Sequence, residues 1–282
     1  MGPTGSGKSS FINMVTGRKD GVGHALESFT TEIGMVKYHI PERSSLDVVF
    51  VDTPGFDDTY KSDLEILQMI ADWLKKTYEK NIKLSGIVYL HRISDNRMAG
   101  TPLKNLRMFE ELCGKSALQN IILATTMWDE VDETTGLARE NELKKRYWKG
   151  MMNAGSRVVR FKNSRESAWC ILDDFLENAN ERYAMLLQRE LVDMGKQLPE
   201  TRAGQQLYHR LADLVKKQQN LLRQIQRGMV DEEVDEDLLS ELKKNFDDSQ
   251  KELLQTIADV GALRISLGKR LLHFVSLRWR QS

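Results

Sequence analysis

Residues Gly2-Pro3-Thr4-Gly5-Ser6-Gly7-Lys8-Ser9 follow the spacing G-x-x-x-x-G-K-[ST], and no other stretch restricts the fold of this chain so far. Glycines let successive backbone N–H groups turn inward around an anion, the lysine reaches outer phosphates, and the serine can ligate Mg²⁺. Gly2, Pro3, Thr4, Gly5, Ser6, Gly7, Lys8, Ser9 and the adjoining Ser10 are therefore the expected phosphate cradle. A helix starting near Lys8 would add its positive dipole end, with Phe11, Ile12 and Val15 as its apolar face and Gly17 as its stop. Taken alone, the same residues also suit a Gly/Ser turn ahead of an ordinary helix. A loop of this kind normally follows a buried β-strand that aims it, and here the motif starts at residue 2. The expectation is that this strand is missing through truncation, with another segment holding the loop as the alternative, and that nucleotide affinity is reduced accordingly.

Other motifs follow in order. The polar, glycine-bearing stretch from Gly17 to Glu32 reads as a loop, the place from which a threonine would close over Mg²⁺ and a terminal phosphate. Thr30 is the first choice and Thr31 the second. Ile33 to Ile40 and Leu46 to Val51 read as two strands of an antiparallel hairpin. The second ends in Asp52-Thr53-Pro54-Gly55. An aspartate there can hold the Mg²⁺ shell opposite Ser9, and the Gly55 N–H can sense a terminal phosphate. Lys8, Thr30 and Gly55 are thus the candidate catalytic groups, and Ser9, Thr30 and Asp52 the candidate metal ligands. The residue after Gly55 is Phe56, which cannot orient a water by hydrogen bonding; Asp57 and Asp58 are substitutes or else turn and cap residues.

Residues 63–80 have helical spacing, Ile87 to Leu90 form a strand, and His91, Arg92 and Arg97 are expected in a polar loop, the arginines either solvated or offered in trans. A helix over Leu103 to Cys113 and a buried strand Ile121 to Ala124 lead into Thr125-Thr126-Met127-Trp128-Asp129. Another amphipathic stretch (137–150), a strand over Arg157 to Phe161 and a helix from Glu166 complete this half. The alternation argues for an α/β fold: a mostly parallel, doubly covered sheet with one antiparallel edge.

The phosphate loop, Asp52 to Gly55, and the runs Gly55 to Thr59, Ser85 to Ile93 and Thr125 to Asp129 resemble the TRAFAC-class GTPases. Within that class they resemble the AIG-type group (immunity-associated, Toc-like, septin-related), most closely the G domain-containing proteins of fungi. The resemblance covers residues 1 to about 175 and implies a P-loop G domain over 1–177 binding GTP/GDP with Mg²⁺. Asp129 would read the guanine N–H donors, with Thr126 and Met127 where such enzymes usually carry asparagine and lysine. Asn163 would face the base from the loop after the last strand.

Beyond residue 177 strand signals vanish, and 178–282 reads as a helical, coiled-coil-like region. Leu207, Leu211, Leu214, Leu221 and Ile225 fall on a heptad seam ending at Gly228, an acidic run spans Asp231 to Asp237, and helical spacing restarts at Leu239. An intramolecular hairpin and pairing with a second chain both fit. The basic stretch Arg264 to Ser282 suits a helix packed on the protein, or else an acidic partner or membrane surface. With 41 Lys+Arg against 41 Asp+Glu, a chain built as a whole for nucleic acid is not expected. The two cysteines, Cys113 and Cys170, read as buried, reduced thiols, and with no long apolar run the expectation is a cytoplasmic protein. Two functions remain: a slow GTPase acting as a switch or assembly module, with a homodimer through the G domain or helices as one arrangement, and a non-catalytic assembly protein. An ATP-dependent enzyme is the weaker third.

Overall fold

A computed structural model describes residues 1–18, 32–40, 47–58, 61–98, 100–177 and 182–230, and, between 240 and 258, all but 252 and 255. Thr30, Thr31, the acidic run 231–237 and the basic stretch 264–282 lie outside the described residues. The chain divides into two compact units, Met1–Lys196 and Gln197–Ser282.

The first unit carries two sheets. β1 (Gly34–His39) and β2 (Asp47–Asp52) pair antiparallel, Gly34 opposite Asp52, as the hairpin reading requires. β3 (Ile87–Arg92), β4 (Ile121–Thr126) and β5 (Arg157–Arg160) pair in parallel, with β4 central. Burial follows this order: all six residues of β4 are buried, while β1 alternates between half-buried and exposed. A central parallel strand is covered on both faces and so needs an unbroken apolar run; an outer antiparallel strand needs only alternation.

Helices supply the cover. α1 (Lys8–Thr16) buries Phe11, Ile12 and Val15 and stops at Gly17, whose φ of 71° lets its N–H close on Asn13 O. α1 and α6 (Arg165–Glu177) pack one face of the sheet through a shared core that includes Leu90, Ile122, Ala124, Ile171 and Leu172. On the other face α3 (Thr101–Cys113) lays Phe109 on Tyr89, ring centroids 4.6 Å apart. α2 (Asp63–Glu79) starts at a capping box, in which Ser62 Oγ accepts from the Glu65 N–H and Glu65 Oε2 from the Ser62 N–H. α4 (Glu133–Glu142) runs through a π-turn into α5 (Lys149–Asn153), so that Trp148 and Met151 are buried. α7 (Leu186–Gln188) touches both α2 and α3. In the second unit α8 (Arg202–Val230) is a single helix that continues past Gly228, with Leu214, Leu221 and Ile225 buried on the heptad seam. No helix among the described residues is long and apolar enough to cross a membrane.

Three sequence expectations are corrected. His91 and Arg92 belong to β3, because the parallel pairing with β4 extends to Arg92 opposite Thr126. His91 is consequently buried, and burial lowers its imidazole to about 4. Cys170 is exposed, since α6 turns its Ala168–Ile171–Leu172 side inward; Cys113 is buried as expected.

Met1 enters the core with the loop it precedes. Its amine donates to Val88 O at 2.7 Å, and burial lowers that amine from 8.0 to about 5. The folded value lies below the unfolded one, so between pH 5 and 8 the unfolded chain binds more protons and this group makes stability rise with pH. Acetylating Met1 removes the titration. The gain in melting temperature from pH 5 to 8 is therefore expected to be smaller in the acetylated chain, as differential scanning fluorimetry on matched samples would measure.

Candidate nucleotide-binding site

The phosphate loop leaves the Met1–Pro3 segment at the carboxyl end of the sheet and passes into α1 through Gly7, which takes a left-handed conformation at the helix N-cap. Lys8 is buried and folds back on the loop, its Nζ donating to Pro3 O at 2.8 Å and Gly2 O at 3.2 Å. Burial lowers its ammonium from 10.5 to about 8, and Asp52 acts in the opposite direction. Ser9 Oγ donates to Asp52 Oδ2 at 2.6 Å, while Asp52 Oδ1 is buried with no hydrogen-bond partner. A serine hydroxyl against a carboxylate with one unpartnered oxygen suits a hard divalent cation. Among the described residues no cluster of three His, Cys, Asp or Glu exists. Mg²⁺ beside a phosphate needs none, since it keeps waters and takes one or two protein ligands.

Gly2 and Gly55 are required by close approach. A Cβ on Gly2, at φ 143°, would stand 2.3 Å from Leu90 O, and one on Gly55 would stand 2.4 Å from Thr4 N. Thr4 donates through its N–H to Phe56 O (3.0 Å) and through Oγ1 to Gly55 O (3.4 Å), so the segment after β2 lies directly on the loop. Phe56 is 1% exposed and belongs to the core. Asp57 and Asp58 hold the turn into α2: the Asp57 N–H donates to Asp63 Oδ1, and Asp58 Oδ1 accepts from the Lys61 N–H.

The residues expected to face the base follow β4 and β5. Thr126 is buried, and its Oγ1 donates to Ser6 O at 3.1 Å, tying the end of β4 to the phosphate loop. Met127 turns at φ 58°, its methyl 3.8 Å from where a Cβ on Gly7 would sit. Asp129 follows in an exposed turn (Trp128–Glu130), and Asn163, at φ 51°, is exposed beyond β5. Since β4 and β5 are parallel, both loops leave at the end of the sheet where the phosphate loop sits, as open α/β sheets arrange their ligand crevices.

Residues not singled out by sequence reasoning position this end. Arg160 stacks on Trp128, 4.3 Å from its centroid, and donates to both oxygens of buried Glu140 at 2.8 and 2.7 Å. The Arg160 bonds, ahead of Lys144, hold the Glu140 carboxyl below its ordinary value. Trp128 Nε1 in turn donates to Thr125 Oγ1 at 3.1 Å. No local pattern announces contacts that join β5, α4 and the turn after β4. Arg92, expected in a loop, instead lies beside the phosphate loop, its Nη1 3.2 Å from a Cβ built on Gly5, and pairs with Asp95 at 3.0 Å. Arg97 is exposed.

Residues 1–124 match the family model described as 50S ribosome-binding GTPase. The structure is similar to Toc33 from Arabidopsis thaliana in complex with GDP and Mg²⁺ (TM-score 0.50, 20% identity, 66% of this chain and 84% of that chain). It is equally similar to Toc33 with Mg²⁺ and GMPPNP (0.50, 20%, 66% and 85%). A structure of the chloroplast translocon components atToc33 and psToc159, for whose GTPase activity dimerization is important, gives 0.52 at 18% identity over 66% and 83%. No curated protein matches the chain. The fold is that of a P-loop G domain with a mainly parallel sheet and one antiparallel pair, and the matched model supports guanine-nucleotide binding. That match ends before Asp129 and Asn163.

Two substitutions test the geometry. Gly55→Ala forces the loop away from Thr4 and is expected to lower both melting temperature and nucleotide affinity. Glu140→Gln leaves the half-buried Arg160 charge short of its partner and is expected to cost about 1–2 kcal/mol in chemical denaturation.

Proposed function

We propose that this chain is a GTP-binding protein of the AIG-like, septin-related group, a slow GTPase acting in the cytoplasm as a switch or assembly module. The observation that carries the reading is the meeting of Lys8, Ser9 and Asp52: a buried lysine folded on a phosphate loop, and a 2.6 Å hydroxyl–carboxylate contact beside it with one carboxylate oxygen unpartnered. In this reading Lys8 leaves the Pro3 and Gly2 carbonyls for the outer phosphates, which return charge to its partners and favour its protonated form. Ser9, Asp52 and Thr30 hold Mg²⁺, which neutralises charge on the phosphates when bound. Gly55 contributes its N–H at the terminal phosphate, and Asp129 and Asn163 face guanine from the β4 and β5 loops. Water attacks the terminal phosphoryl group in line.

Phe56, sealed in the core, cannot position that water, and the Asp57 N–H and the Asp58 carboxylate hold the turn before α2. Intrinsic turnover is therefore slow and rises with a second protomer, in keeping with the dimer dependence stated for atToc33 and psToc159. The same buried Phe56 favours the second reading, a nucleotide-supported assembly protein without hydrolysis.

Purified protein is expected to retain guanine nucleotide, GTP to displace a fluorescent GDP analogue at least tenfold better than ATP, and Lys8→Ala to abolish retention. Single-turnover phosphate release separates the readings: release above the Lys8→Ala baseline supports hydrolysis, and none supports assembly alone. Retention of ATP in preference to GTP would overturn the guanine assignment.

A further inference from the structure

Arg92 closes β3, opposite Thr126 in the parallel register, and both strand ends reach the middle of the phosphate loop. Thr126 Oγ1 donates to Ser6 O at 3.1 Å, while Arg92 Nη1 lies 3.2 Å from where a Cβ on the preceding loop residue, Gly5, would sit. Gly5 is exposed and carries no side chain, so the guanidinium rests against bare loop backbone.

Its own carboxylate holds Arg92 by one side only. Asp95 Oδ1 stands 3.0 Å from Nε, yet Nε has no aligned hydrogen bond and Asp95 Oδ2 is buried without a partner. A pairing at Nε leaves the Nη1–Nη2 fork for a second anion, and that planar fork matches phosphate oxygens through two parallel N–H groups. The side chain is 38% exposed, open to a ligand. The turn that carries the pair is braced from behind: Arg139 of α4 donates to Ile93 O at 2.9 Å, to Ser94 O at 3.0 Å and to Asn96 Oδ1.

The surrounding charges point the same way. Burial lowers the Lys8 ammonium to about 8, and the Arg92 charge pushes in the same direction while Asp52 and Asp58 oppose it. Two cations at one glycine-rich loop gain from an anion that both can reach.

We propose that Arg92 is a phosphate-binding residue acting within its own chain: its guanidinium fork takes oxygens of the outer phosphates beside Gly5, sharing their charge with Lys8 while Asp95 holds Nε. The inference rests on the nucleotide reading of the loop and adds a residue that the loop motif does not contain. Contact with the loop of its own chain separates this role from an arginine offered in trans.

The test compares the full chain with Arg92→Ala, Arg92→Gln and Arg92→Lys, measuring the Kd of a non-hydrolysable GTP analogue and the melting temperature without ligand. Loss of a charge-assisted bond is expected to raise Kd about tenfold in the alanine and glutamine variants, with lysine recovering part and all melting temperatures kept. Glutamine keeps the stem and decides the matter if alanine lowers the melting temperature. An unchanged Kd in a folded variant lacking the charge would overturn the proposal. So would a rise in Kd only in step with a lower melting temperature. An excess of Lys8→Ala chain, which keeps Arg92 but holds no nucleotide, is then mixed with the Arg92→Ala chain. Rescue by that donor, but not by a donor carrying both substitutions, would place the arginine in trans and overturn the assignment. Preference for ATP over GTP would end the guanine reading and leave Arg92 to be judged with an ATP analogue; binding of neither would overturn both.

Discussion

Among the described residues, backbone pairing between the two sheets runs through Met1 to Pro3: on one side to Val88 and Leu90, on the other to Phe56. The phosphate loop hangs from those residues. Its direction, the reach of Lys8 and the meeting of Ser9 with Asp52 all depend on how that segment is held. This explains why Gly2 and Gly55 admit no side chain. Leu90 O and Thr4 N come within 2.3 and 2.4 Å of a Cβ at those positions, because backbone is packed directly on backbone there.

The phosphate-loop end and the end formed by the β4 and β5 loops differ in how they are built. At the phosphate end the contacts are short-range in space and made by motif residues: Lys8 to the loop carbonyls, Ser9 to Asp52, Thr4 to Gly55 and Phe56. At the β4 and β5 loops Asp129 and Asn163 sit on exposed turns, and behind them runs a chain of contacts from buried Glu140 through half-buried Arg160 and Trp128 to buried Thr125. Thr126 joins the two ends by donating to Ser6 O. A side chain with a hydroxyl serves there because the acceptor is a loop carbonyl, and the Met127 methyl lies over Gly7.

Much of the fold was legible because its elements carry local physics. The unbroken run Ile121 to Ala124 marks a strand covered on both faces, the spacing of Phe11, Ile12 and Val15 marks the buried side of α1, and Gly17 marks its stop. His91 and Arg92 were misread as loop since polar residues usually end a strand, whereas pairing with β4 carries β3 two residues further. Cys170 was misread because a thiol in an apolar-looking helix gives no sign of which way the helix is turned.

By itself the sequence determined the chemistry: a phosphate loop, a strand-end aspartate at the distance along the chain where it can meet Ser9, and the order of strands and helices. These are properties of residue type and spacing. Only the tertiary structure decided that Phe56 is core, that Arg92 lies against the phosphate loop, that Arg160 and Glu140 brace the turn after β4, and that a cavity lies between β2 and the Leu84–Val88 segment. Each of those depends on which distant segments meet, and burial, pairing and free edges exist only once they have.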